Sequence, residues 1–125
     1  MNNSDEAIKL AFARLMEDYE FILSIGLEKG LNVITLKNDP LKISLVEEYQ
    51  PRGIYNVTFY DGKDLWLGLS TLYEFKGHPY NYESGCIKPE YFPGVADFLA
   101  DNYADFFRGD QASRYTLLAF YQAAR

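Results

Sequence analysis

A second cysteine is missing from these 125 residues, and so is a second histidine. With Cys86 alone no internal disulfide forms, which favours a reducing compartment. With His78 alone a histidine-rich metal site is excluded. His78 and Cys86 fall in one stretch and formally allow a Cys–His nucleophilic pair, but no base, orienting group or oxyanion site accompanies them. Their plain reading is a loop histidine and an unreactive thiol. Ser24 and Ser70 have no histidine near them. There is no Gly-rich phosphate loop, no G-x-S-x-G and no C-x-x-C. "DGKD" at Asp61 to Asp64 lacks the spacing of a calcium loop and reads as a turn. Glu47 and Glu48 are adjacent on an expected strand and point to opposite faces, so they form no acid/base pair by spacing. These absences leave no expected catalytic residue, metal or cofactor.

Basic clusters are missing too. Twelve Lys and Arg are scattered against eighteen Asp and Glu, for a net charge of −6. Nucleic acid and anionic membranes, which need a positive surface, are poor partners for such a chain. A basic protein or a cation suits it better. No apolar run reaches the roughly 18–20 residues of a membrane span. The opening "MNNSDEAIKLAFARL" places Asp5 and Glu6 where a secretory signal would be basic. The expectation is a cytoplasmic protein.

What the chain does have is aromatic residues: eleven Tyr, nine Phe and one Trp. Core packing accounts for most Phe. Eleven Tyr exceed what a small core readily satisfies, because each buried hydroxyl wants a partner, so some are expected at half-wet surfaces. The length fits one domain spanning 1–125, large enough to bury about two-thirds of its unfolded surface.

Ser4 is a candidate N-cap for a helix from about Asp5 to Asp18, with Ile8, Phe12, Leu15 and Met16 at helical spacing. From Tyr19 the period changes to two: Tyr19, Phe21, Leu23, Ile25 and Leu27 alternate with other residues. "EKG" (28–30) reads as a hairpin loop, followed by strands in "LNVITLKN", "LKISLVEEY", "IYNVTFY" and "LWLGLS", with "NDP", "QPRG" and "DGKD" as breaks. The stretch from 71 to 94 has no sustained period, opens at most with a helical turn after Ser70, and reads as a long irregular loop. A helix carrying Val95, Phe98, Leu99, Tyr103 and Phe106 follows, stopped by Gly109; Asp110 caps a last one. The expected fold is α+β: a five-stranded antiparallel meander with an N-terminal helix and two C-terminal helices packed on it in two layers.

"FARLMEDYEF" (12–21), a helix running into a strand, and "FLADNYADFFRGD" (98–110), a terminal helix with an Arg-Gly-Asp stop, resemble segments of small bacterial α+β proteins of the polymorphic-toxin immunity type. The resemblance implies a binding protein that neutralises a toxin, with no functional residue carried over.

Two features are candidates for a binding surface. Asp97, Asp101 and Asp105 repeat at i,i+4, where like charges repel by roughly 0.2–0.5 kcal/mol per pair. They read either as a solvated helix face, with Arg108 easing Asp105, or as an acidic contact for a basic partner. The irregular stretch carries Tyr73, Phe75, Tyr80, Tyr82, Tyr91 and Phe92, which either anchor the loop or serve as interface anchors, with Glu83 and Glu90 as an acidic rim. The leading expectation is a non-enzymatic protein binder, monomeric or weakly dimeric, meeting a basic protein through Tyr80, Tyr82, Glu83, Tyr91 and the three aspartates. An enzyme or small-ligand binder with a pocket between the sheet and the 73–93 loop is the alternative. A subunit dimerising through a strand edge is the third.

Overall fold

The computed structural model describes residues 3–50, 52–82 and 86–123. They form an α+β fold around an open antiparallel sheet. Two short helices, α1 (Asn3–Ala11) and α2 (Ala13–Tyr19), occupy the place of the single expected helix. Phe12 leaves helical geometry between them (φ −104°, ψ 9°), yet Phe12 N–H still donates to the Ile8 carbonyl and Met16 N–H to that of Phe12. The break at Phe12 is thus bridged by backbone bonds on both sides. Glu20 then turns into the left-handed region (φ 61°), so the first strand starts at Ile22, three residues later than the alternation suggests. Tyr19 closes the helix instead of opening the strand: it is buried, and its hydroxyl donates to the Ala100 carbonyl at 2.9 Å. The side chain of Ser4 lies outside the described residues, and α1 already includes that position.

Strands β1 (Ile22–Glu28), β2 (Leu31–Lys37), β3 (Lys42–Glu47), β4 (Tyr55–Tyr60) and β5 (Trp66–Gly68) form the expected meander, each antiparallel to the next. Lys29 and Gly30 both take positive φ in the two-residue β1–β2 turn, which matches the twist of a hairpin. In the β4–β5 turn the Asp61 carboxylate accepts the amides of Lys63 and Leu65, and Gly62 supplies the positive φ.

The stretch expected to be irregular holds more order than its sequence suggests. It contains α3 (Leu69–Phe75), a two-residue strand β6 (Cys86–Ile87) and a 3₁₀ turn (Pro89–Tyr91). β5 pairs Thr58 with Gly68, and β6 pairs Asn56 with Cys86 and Tyr55 with Ile87. Both run antiparallel along the same edge of β4 and in the same direction, so β5 and β6 are two halves of one edge strand, interrupted between Gly68 and Cys86 by a segment that includes α3.

Three helices follow, not two: α4 (Phe92–Asn102), α5 (Ala104–Phe107) and α6 (Gln111–Ala123). The expected helix carrying Val95 to Phe106 breaks at Tyr103 (φ −127°), whose buried ring turns inward and whose hydroxyl donates to the Leu72 carbonyl of α3. Gly109 (φ 87°) ends α5, and Asp110 caps α6 by accepting the Ser113 amide at 2.8 Å.

The strand residues Ile34, Leu36, Ile43, Leu45, Val57 and Phe59 share one core with Phe12, Leu15, Phe92, Leu99 and Phe107 of the helical segments. The helices α1 and α2 pack on α4, and α6 meets α3 and α5. Residues alternating with the inward row point the other way and meet no helical core. Among the described residues no helix is long and apolar enough to cross a membrane.

Candidate binding surface

The aromatic stretch is organised around Tyr73 of α3. Its ring stacks on Phe98 at 3.7 Å and meets the edges of Tyr80 at 5.2 Å and Tyr82 at 6.0 Å. Burial, then the neighbouring Tyr82, holds the Tyr73 phenol well above its ordinary range. Tyr80 and Tyr82 are half-buried, with rings 5.3 Å apart. The chain rings therefore fasten the irregular segment to α4, as aromatic clusters do. At the end of the series Tyr82 meets Tyr91 at 5.1 Å, and Tyr91 is 43% exposed. Glu83 lies outside the described residues. Phe92 is fully buried and belongs to the core.

Tyr91 precedes the first turn of α4, and the Tyr82 hydroxyl sits over the exposed Gly94 of that turn. Asp97 and Asp101 continue the same exposed line at i+3 and i+7 from Gly94. They do not stand as a bare acidic stripe. Arg14 of α2 reaches across to Asp101 at 2.7 Å, to Asp97 at 3.9 Å and to its own neighbour Asp18 at 3.8 Å. One cation thus serves three carboxylates, and all four groups are 45–70% exposed. Asp105 is separated from this group by the break at Tyr103. It lines instead a groove of about 410 Å³ with Asp101, Lys76, Phe106 and Thr116. Among the described residues no ion pair joins Asp105 to Arg108, whose guanidinium lies 4.9 Å from the centre of the Tyr19 ring.

The structure thus brings Tyr82, Tyr91, Asp97 and Asp101 together and leaves Asp105 on a neighbouring slope. Tyr80 supports the group from beneath. Arg14 carried no expectation, because only the packing of α2 on α4 places it there. Its i,i+4 relation to Asp18 is visible in the sequence and explains only one of its two longer contacts, not the short one to Asp101.

A second carboxylate site escaped the sequence altogether. Glu47 ends the inward row of β3 and is 5% exposed. One oxygen accepts the Asn32 amide at 2.9 Å and the Asn32 side chain at 3.0 Å; the other accepts the Gly53 amide at 2.8 Å, and Arg52 grips both. Arg52 and these amides pull the Glu47 carboxyl down to about 2. Arg52 also donates to the Gly30 carbonyl, so the network ties the β1–β2 turn to the 48–54 connection. The pairing of Asn32 with Glu47 spans two strands, and nothing in the local pattern announces it.

Beside that network lies a hollow of about 410 Å³ between α1, the sheet and the 3₁₀ turn, lined mainly by Ile8, Ala11, Ile25, Ile34 and Phe92, with Asp5, Asn32, Tyr55 and Glu90 as its polar groups. Elsewhere the Cys86 thiol donates to Glu48 at 3.2 Å; burial and that carboxylate push it up to about 11, the opposite of an activated nucleophile. His78 meets the Tyr73 and Phe98 rings. Among the described residues no group of three or more His, Cys, Asp or Glu converges to hold a metal ion. Set against protein-family models, curated proteins and solved structures, the chain matches none of them.

Proposed function

We propose that this protein is a non-enzymatic binding protein whose partner is a basic protein, in the manner of an immunity protein neutralising a toxin. The observation that carries the reading is the continuity of one exposed surface: the Tyr82–Tyr91 pair runs into Asp97 and Asp101, where three carboxylates share Arg14. That local surplus of negative charge attracts a cationic surface and accelerates encounter, while a half-exposed aromatic beside it supplies a desolvated anchor. Tyr91 is the better anchor of the two rings, because Tyr82 is already held by Tyr73 and Tyr80. The cytoplasm suits a chain whose single cysteine has no partner for an internal disulfide.

The experiment is capture of the partner from the native host with tagged protein, then binding kinetics on the purified pair. Tyr91→Ala should raise the dissociation rate. The Asp97→Asn/Asp101→Asn variant should slow association and flatten its salt dependence. An association rate that ignores both aspartates would make them an ordinary solvated face.

A second reading, a small-ligand site, is favoured by the hollow between α1 and the sheet. Its volume lies within the ordinary range of ligand pockets, and its lining is apolar with a few polar groups. Ala11→Phe, which fills it, should abolish binding of any such ligand while leaving capture of a protein partner intact.

A further inference from the structure

The face of the sheet turned away from the core carries three cross-strand rows. Ile22, Lys37, Lys42, Tyr60 and Trp66 lie side by side in the first. Ser24, Thr35, Ser44, Thr58 and Gly68 form the second. Gly26, Val33, Val46, Asn56 and Cys86 form the third. One step further along the strands, Glu28 and Glu48 continue the same face. Four of the large apolar side chains the molecule exposes are here: Ile22 (73%), Trp66 (59%), Val46 (38%) and Tyr60 (37%).

Two properties of this face ask for a partner. Lys37 and Lys42 stand directly opposite each other on β2 and β3, an arrangement that repels, and among the described residues neither has an ion-pair partner. The face is also polar along the strands, with Lys37 and Lys42 at one end and Glu28 and Glu48, with Lys88 at their flank, at the other, separated by a band of mostly small residues. A surface with opposite charges at its two ends is complementary to itself once turned end for end.

We propose that two copies of this chain stack bare face on bare face. The twofold axis lies across the strands, between the Ser44 row and the Val46 row. It sets Lys42 of each copy against Glu48 of the other, and Ser44 against Val46, as an isologous contact requires. The small central residues let the two sheets approach to the roughly 10 Å of a packed sandwich. Trp66 and Tyr60, whose rings lie 5.0 Å apart, close one flank. Five strands at about 4.8 Å spacing and some 20 Å of length bury on the order of 1,000 Å² in total, the lower edge of a specific interface. Two copies of charge −6 also repel at long range. Both facts set the dimer in the micromolar range. The α4 surface belongs to the helical side of the core and takes no part in this contact.

The test is sedimentation velocity across a concentration series, with circular dichroism to confirm folding of every variant. Trp66, the only tryptophan, gives a second readout: its emission should shift to the blue as concentration rises. Lys42→Glu and Glu48→Lys should each weaken the dimer about tenfold or more, because each sets like charges opposite. Mixing the two variants should restore association, since each then supplies what the other lacks, and the double variant K42E/E48K should self-associate again. A wild-type chain that stays monomeric up to about 100 µM, where a micromolar complex must form, overturns the proposal. So does a dimer that the charge swaps leave unchanged.

Discussion

Glu47 and the Asp97–Asp101 pair use the same chemistry to opposite ends. Glu47 is one carboxylate surrounded by four donor groups, buried, with nothing left to offer. Asp97 and Asp101 are two carboxylates that share one exposed arginine with a third. In the first case the donors outnumber the acid, and the result is a rivet between strands and turns. In the second the acids outnumber the cation, and the excess faces water. The ratio of partners to charge, more than the charge itself, separates a structural carboxylate from one available to something outside the chain. The buried pair of Arg114 with Asp61 at 2.7 Å, which ties α6 to the β4–β5 turn, belongs with the first kind. There burial alone would raise the Asp61 carboxyl, but the Lys63 and Leu65 amides and Arg114 outweigh it and leave it below its usual value.

The comparison breaks most readily at Glu47. Glu47→Ala should cost about 2–3 kcal/mol, since two backbone amides and the Asn32 side chain lose their acceptor. A fall in the urea midpoint with an unchanged m-value would show it. Arg114→Ala comes next, at about 2 kcal/mol, because it leaves the Asp61 carboxylate buried with only its turn amides. Acid probes Glu47 without removing it. Its folded pKa is depressed from 4.5 to about 2, so the stability it gives is complete above 4.5 and is lost as pH falls toward 2. Glu47→Gln should flatten the acid limb of the stability profile in that window. The exposed pair should show the smallest change in stability: the Asp97→Asn/Asp101→Asn variant should unfold at the wild-type urea midpoint within error. Asp105→Asn, beyond the break at Tyr103, should also leave stability alone and slow partner association less than the pair does.

Strand alternation, both hairpin turns, the Gly109 stop and the Asp110 cap were legible because each is a local property of a few residues. The breaks at Phe12 and Tyr103 were not. Both residues keep helical time, so a periodic pattern runs straight through them; the contacts that accompany the breaks are tertiary, of Tyr103 with Leu72 and of the buried Phe12 with Phe92. β6 was invisible for a similar reason. Two residues, Cys86 and Ile87, carry no period and become a strand only because β4 has an open edge beside them. At the surface, the sequence brought Tyr82, Tyr91, Asp97 and Asp101 under one suspicion, and the packing joins them. It also admitted Asp105, since a count of four residues assumes an unbroken helix. Arg14 and the partners of Glu47 come from other elements, and no spacing rule reaches them.

The divided edge strand has a consequence for how this chain tolerates change. Gly68 and Cys86 are pinned to positions two residues apart on β4, opposite Thr58 and Asn56. The chain therefore leaves the sheet after Gly68 and re-enters it at Cys86, at almost the same point, like an appendix stitched into a seam. Lengthening that excursion at its exposed turn near Gly77 displaces no strand and alters no register. A peptide tag or reporter inserted there leaves α3 held by Leu72 and Tyr73 in the core and borders His78, whose ring meets Phe98 of α4. The segment is a natural port through which foreign sequence enters this fold while the sheet stays closed behind it.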